Sequence, residues 1–134
     1  MFDWKQYITL AEKLYAESMV SINFECRLRN CVSRAYYGAF GETRKFCEGK
    51  GIFSSAGTAD DHKNLVKACK SQKENKFKQV GSELDWLRLR RNCCDYHDDL
   101  NNHYLIKGQI VNIADTAIEK ANTVCKLIVE LQND

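Results

Sequence analysis

Apolar residues recur along most of this chain at steps of three and four, which is the period of an amphipathic α-helix. The longest stripe predicts a last helix over about residues 105–131. That stripe comprises Ile106, Ile110, Ile113, Ala117, Ala121, Val124, Ile128 and Leu131. Similar patterns predict a first helix over residues 2–18, a second over about 25–48, a third over about 62–71 and a fourth that starts near Phe77.

Two segments interrupt the helical pattern. The first, EGKGIFSSAGTADD (residues 48–61), holds three glycines, and Asp60 and Asp61 at its end are expected to cap the third helix. The second, DDLNNH (residues 98–103), should end the fourth helix because Asp and Asn favour turns. Because the 134 residues include no proline, we predict one all-α domain over residues 1–134, an antiparallel bundle of about five helices.

Gly38 and Gly41 lie inside the second predicted helix. A glycine in a helix interior costs about 1 kcal/mol relative to alanine. The pair therefore indicates that another backbone or a ligand comes close to this part of the helix.

The apolar stripe of the fourth helix is followed by a polar and charged stretch, RRNCCDYH, residues 90–97. That stripe comprises Val80, Leu84 and Leu87. At about 100° per residue, Arg91 falls on the same helix face. A buried arginine needs a carboxylate, an anion or an opening in the core. Arg88 and Arg90 lie toward the edges of the stripe and can be ordinary solvated residues.

His97 follows Arg91 by six positions, which in an unbroken helix is about 120° of rotation and 9 Å of rise. The two side chains can meet only if the helix ends or deforms near residues 95–96, or if a second copy of the chain completes the site. The alternative without a site is that Arg91 pairs with a buried acid and His97 is a loop residue with no task. Arg34 and Tyr37, beside the glycines of the second helix, favour a cleft.

Composition excludes several classes of protein. A hydrophobic fraction of 44% and a charged fraction of 28% are ordinary for a globular domain. Since there is no long apolar run, and Asp3 and Lys5 interrupt any signal-peptide pattern, we expect a cytoplasmic protein with no membrane partner. A net charge of +2 is too small to indicate a nucleic-acid partner by itself.

Seven cysteines raise the question of disulfides or zinc. Their number is odd, no C-x-x-C occurs, and Cys93 and Cys94 are adjacent, which is poor geometry for one shared bridge. We expect most of them to be small apolar residues of helices. A metal site is the remaining alternative, and the expectation is no metal and no cofactor.

Lys63, Lys67 and Lys70 share one face of the third predicted helix. That face is either simply solvated or a track for a phosphate backbone. In the second case the binding would weaken steeply with added salt.

The segment RNCCDYH resembles the hallmark of the HEPN domains of prokaryotic defence and toxin systems. In that family an Arg is followed by a polar residue, commonly Asn, and a few positions later by a His. SRAYYGAFGETRKFCEGKGI is similar to the Arg-Ala-Tyr-Tyr helix of many small stand-alone HEPN proteins. HKNLVKAC and the long last helix follow in the expected order, so the resemblance covers most of the chain.

The resemblance implies a helical bundle that forms a homodimer, in which two Arg/His motifs face each other across a shared cleft. Many HEPN proteins are metal-independent ribonucleases. Their chemistry suits these residues, because histidine transfers protons near neutral pH and arginine stabilises phosphate charge. The predicted catalytic residues are Arg91, His97 and, as an orienting residue, Asn92. The predicted RNA-binding residues, including the basic face, are Arg34, Tyr37, Tyr96, Lys63, Lys67 and Lys70.

One departure from the family concerns regulation. HEPN toxins that pair with a minimal nucleotidyltransferase antitoxin often carry a Tyr two positions after the His, where adenylate is attached. Asp99 stands at that position here, so the usual attachment site is absent. The resemblance still allows a nucleotidyltransferase-type antitoxin as a partner. It also leaves open a second function, a non-catalytic module that binds nucleotide or a partner protein.

Overall fold

The computed structural model describes residues 1–18 and 23–134. Within them the chain forms five helices, which are α1 (Lys5–Ser18), α2 (Phe24–Gly49), α3 (Asp60–Lys70), α4 (Asn75–Tyr96) and α5 (Ile110–Asn133). The all-α class and the number of helices predicted from the apolar periodicity are confirmed. In the same described residues, no helix is both long and apolar enough to cross a membrane.

Helix α2 is the central element of the bundle, because it packs against α1, α4 and α5. Its fully buried side chains include Leu28, Val32, Ala35, Tyr36 and Ala39. Helix α3 packs mainly on α4 and only slightly on α2. The side chains of three helices therefore meet where α3 and α4 come together beside α2.

The close approach predicted at Gly38 and Gly41 is made by the first residues of the chain. A Cβ atom built on Gly38 would lie 3.1 Å from the carbonyl oxygen of Trp4. A Cβ atom built on Gly41 would overlap the indole ring of the same tryptophan. The two glycines therefore let the segment that leads into α1 sit directly on α2.

We expect Gly41→Ala to lower the free energy of unfolding by about 1–3 kcal/mol, because the added methyl group forces Trp4 to move. Urea denaturation followed by circular dichroism measures the change. Gly49→Ala is the matched control, since its Cβ position is open apart from its chain neighbours and its own helix backbone, and it should be neutral or slightly stabilising. Equal free energies of unfolding for wild type and Gly41→Ala would contradict this packing.

The predicted start of the last helix is wrong. Helix α5 begins at Ile110, and residues 98–109 form a series of turns. Lys107 and Gly108 have φ angles of 52° and 72°, which a right-handed helix does not accommodate. Ile106 is nonetheless buried. Ile106 thus packs the turn segment against the core. Its spacing from Ile110 is the same as in a helix, although it does not lie in one.

The predicted cap of the third helix is also wrong. Ala59 occupies the cap position of α3, and an alanine side chain cannot accept a hydrogen bond. Asp61 is buried instead, and its carboxylate accepts hydrogen bonds from the backbone N–H groups of Ala56 and Gly57 at 2.8 and 3.0 Å. It stabilises the loop that leads into α3.

Five of the seven cysteines are buried in helices, as expected for small apolar residues. Cys47 of α2 and Cys69 of α3 are free thiols whose sulfur atoms lie 3.8 Å apart. Burial raises the pKa of the Cys31 and Cys94 thiols to about 12. Both thiols are therefore protonated and unreactive at neutral pH.

Candidate functional site

An open pocket of about 400 Å³ lies where α3 and α4 meet beside α2. We call it the Arg91 pocket. It is lined by Tyr37, Ala59, Asp60, His62, Lys63, Arg88, Arg91, Asn92 and Tyr96. Five of the residues predicted from the sequence are brought together here, namely Arg91, Asn92, Tyr37, Tyr96 and Lys63.

Arg91 is a buried charge in the wall of this pocket, with a side chain that is only 7% exposed. Its guanidinium carbon lies 5.1 and 5.4 Å from the ring centroids of Tyr36 and Tyr37. Its Nη1 lies 3.6 Å from Oδ2 of Asp95. Among the described residues, its Nε has no hydrogen-bond partner. The arginine predicted on the apolar stripe is thus buried, and part of its donor capacity is unused.

The contact between Asp95 and Arg91 is not a buried, purely structural ion pair. The side chain of Asp95 is 26% exposed, so the partner is not the buried acid of the alternative interpretation. The separation of 3.6 Å is also longer than that of a charge-assisted hydrogen bond. The same oxygen accepts a hydrogen bond from the Ser33 hydroxyl at 3.5 Å. Asp95 therefore neutralises the positive charge of Arg91 only in part, and Arg91 can still attract an anion in the pocket.

His62 is a histidine of the Arg91 pocket that the sequence pattern did not single out. Its Nδ1 lies 2.5 Å from the hydroxyl oxygen of Tyr36, and its ring stacks on Phe40 with centroids 4.4 Å apart. Burial lowers the pKa of His62, and the nearby positive charge of Arg91 lowers it further. At the pH where an ordinary histidine is half protonated, the neutral form of this imidazole therefore predominates.

His97 lies outside the Arg91 pocket, although the helix ends where predicted. Helix α4 ends at Tyr96, and His97 follows in an extended conformation with φ −95° and ψ 132°. Its exposed ring meets the ring of His103 edge-on, with centroids 4.4 Å apart. The end of the helix alone does not bring His97 into the pocket of Arg91.

Arg29 of α2 holds the backbone around His97. Its Nη1 donates to the carbonyl oxygens of Cys94 and His97 at 3.0 and 2.6 Å. Its Nη2 donates to the carbonyl oxygen of Asp98 at 3.2 Å. A cation is favourable at the carboxyl end of a helix, where carbonyl groups lack partners. The placement of His97 therefore depends on α2 as well as on α4.

Three predicted binding residues do not line the Arg91 pocket. Arg34 lies against Tyr37, with its guanidinium carbon 5.3 Å from the ring centroid. Lys67 and Lys70 are exposed on α3. Lys70 forms an ion pair with Asp85 at 3.5 Å. Of the predicted basic face, Lys63 alone lines the pocket.

Arg88 and Arg90, which could have been ordinary solvated residues, are both partly buried. Arg88 lines the Arg91 pocket, where its Nη2 lies 2.9 Å from Oδ1 of Asp85. Arg90 is partly buried, with its guanidinium carbon 4.4 Å from the Trp86 ring centroid. For Arg88 the reason is that α3 packs on this side of α4 and covers the edge of its stripe.

The sequence carries little signal for either His62 or Arg29. His62 reaches the site because α3 packs on α4, and Arg29 reaches the end of α4 from a distant part of α2. Both placements depend on contacts between separate helices, which the spacing of residues within one helix does not predict. HKNLVKAC shows only that a short helix begins near His62.

Comparison of the chain with models of protein families, with curated proteins and with solved structures found no match.

Proposed function

We propose that this protein is a metal-independent endoribonuclease that cleaves RNA at a site composed by two copies of the chain. The observation that carries the proposal is Arg91, whose side chain is 7% exposed yet lines an open pocket. A charge held this deep is unfavourable unless a partner of opposite sign shares the site. A phosphate group of the RNA backbone is such a partner.

The reaction uses a nucleophile that RNA itself supplies. The 2′-oxygen forms a bond to the adjacent phosphorus while the bond from phosphorus to the 5′-oxygen breaks. The products are a 2′,3′-cyclic phosphate and a 5′-hydroxyl. Arg91 stabilises the charge that develops on the phosphate oxygens. The 2′-hydroxyl loses a proton and the 5′-oxygen gains one; His97 makes one of these two transfers and water makes the other, while Asn92 orients the phosphate.

We include a second copy of the chain because His97 and Arg91 of one chain do not share a pocket. His97 follows Tyr96 in the chain, and its ring packs beside His103, which precedes Tyr104. These two tyrosines are 75% and 73% exposed. Exposed aromatic rings of this kind favour burial at an interface. We infer an antiparallel bundle that dimerises, with His97 of one chain at the Arg91 pocket of the other.

The cellular role follows from the resemblance to HEPN proteins. It supports a cytoplasmic toxin or defence effector. A nucleotidyltransferase-type antitoxin is the partner class that the same resemblance favours.

A second candidate function is a non-catalytic module that binds a nucleotide. It is favoured by one observation, that the Arg91 pocket combines cations with Tyr37 and Tyr96 but is not lined by His97. Such a module binds nucleotide in the pocket and leaves RNA uncut.

The proposed nuclease is tested by incubating the purified protein with RNA oligonucleotides in excess EDTA. We expect cleavage, with 2′,3′-cyclic phosphate and 5′-hydroxyl ends identified by mass spectrometry. The same oligonucleotides with 2′-O-methyl groups are the matched control and should stay intact. Cleavage of the methylated RNA would contradict attack by the 2′-oxygen. Nucleotide binding without cleavage of any RNA would favour the second candidate.

A further inference from the structure

The Arg91 pocket contains a histidine with one ring nitrogen already occupied. His62 lines the pocket, and its Nδ1 is bonded to the hydroxyl of Tyr36. The two nitrogens of an imidazole differ in what they offer a ligand. Here Nε2 is the nitrogen that remains for a molecule in the pocket.

The surroundings of Tyr36 determine the tautomer of His62. Tyr36 is fully buried, and burial raises the pKa of its hydroxyl, so the group keeps its proton. The Arg91 guanidinium lies 5.1 Å from the ring centroid of Tyr36, and its positive charge favours the orientation in which the hydroxyl proton points away from it. Tyr36 therefore donates to Nδ1, and we assign the proton of the neutral imidazole to Nε2.

We propose that the Arg91 pocket holds one phosphate group of the RNA and that His62 binds this phosphate as a neutral Nε2–H donor. His62 is thus a positioning residue, distinct from the proton-transfer role of His97. The inference rests on the proposed function in taking RNA as the source of the phosphate.

The charges around the pocket favour a single anion. Its lining contains the cations Lys63, Arg88 and Arg91 and one carboxylate, that of Asp60. Arg88 is already paired with Asp85 at 2.9 Å, so Arg91 and the exposed Lys63 are the main sources of positive charge. A neutral donor at His62 adds a hydrogen bond without the repulsion that another cation would experience beside Arg91.

The groups that face His62 also keep it neutral. From α4, the charges of Arg91 and Arg88 lower the pKa of His62, as burial does. From its own helix, Asp61 raises this pKa, but its effect is smaller than that of Arg91. From α2, the contacts are the uncharged rings of Tyr36, Tyr37 and Phe40. In the free protein, the neutral form of His62 is therefore favoured more than that of an ordinary histidine.

The test is nitrogen-15 NMR of the histidine side chains in the full chain. We expect the neutral form of His62 to carry its proton on Nε2. The probes are inorganic phosphate and a 2′-O-methyl dinucleotide, which has the same phosphate oxygens but cannot be cleaved by 2′-attack. Both should shift the His62 signals in a saturable manner.

Two variants separate a binding role from a structural one. His62→Phe removes the donor and should weaken binding of the dinucleotide about tenfold, whereas His62→Gln keeps an N–H donor and should bind nearly as the wild type. Tyr36→Phe keeps the ring but removes the hydroxyl, so the His62 signals should report a mixture of tautomers. This last change is readable even if His62→Phe fails to fold.

The outcomes distinguish this inference from the proposed function. A His62 ring with its proton on Nδ1, or one that neither probe shifts, would overturn the inference even if the protein cuts RNA. A shift by inorganic phosphate alone would indicate a site for free phosphate and would also overturn it. Shifts by both probes in a protein that cuts no RNA would support the phosphate site and remove the nuclease.

Discussion

The His97→Gln variant is expected to cleave RNA about 10²–10⁴-fold more slowly than the wild type, because it lacks the proposed proton-transfer group. The ring of His97 is exposed, so the free energy of unfolding should change by less than about 0.5 kcal/mol. Initial cleavage rates in EDTA and urea denaturation measure the two effects. Together they separate loss of chemistry from loss of fold.

His103→Gln is the matched control for this experiment. Its ring lies 4.4 Å from that of His97, so it replaces a histidine in the same turn segment. No role in proton transfer is proposed for it, and the variant should retain the cleavage rate of the wild type. Equal rates for His97→Gln and the wild type would remove His97 from the mechanism.

Two inactive variants should restore activity when they are mixed, if the site is shared between chains. We expect Arg91→Gln alone to lose about 10²–10³-fold in cleavage rate through lost charge stabilisation. In a dimer of one Arg91→Gln chain and one His97→Gln chain, one of the two sites keeps both Arg91 and His97. After unfolding and joint refolding of equal amounts, about a quarter of the wild-type activity should return, because half of the dimers are mixed and each has one intact site.

The control mixture combines Arg91→Gln with the double variant Arg91→Gln/His97→Gln. No chain in it supplies Arg91, so activity should not return. Circular dichroism of each variant confirms that it has refolded. Absence of recovery in the first mixture, or light scattering that shows a monomer at micromolar concentration, would contradict a composite site.

Part of the site could be predicted from local spacing. Arg91 falls on the apolar stripe of α4 because an α-helix turns by about 100° per residue, and this relation holds wherever the helix packs. The burial of the Arg91 side chain follows from it. Gly38 and Gly41 indicated a close approach for a similar reason, since a helix interior tolerates glycine only at a cost.

Other features could not be predicted because they join distant parts of the chain. His62 contacts Tyr36 across 26 positions, and Arg29 reaches the carbonyl group of His97 across 68. The start of α5 was misplaced because the buried Ile106 has helical spacing but lies in a turn, where Lys107 and Gly108 have positive φ.

The sequence by itself determined the all-α class, the order of five helices and the polar end of α4, because periodicity and turn residues are local properties. Only the tertiary structure decided which polar groups share a pocket. It placed His62 beside Arg91 and left His97 outside. The physical reason is that α3 packs on α4 through contacts between separate helices. The spacing of residues within one helix does not predict such contacts.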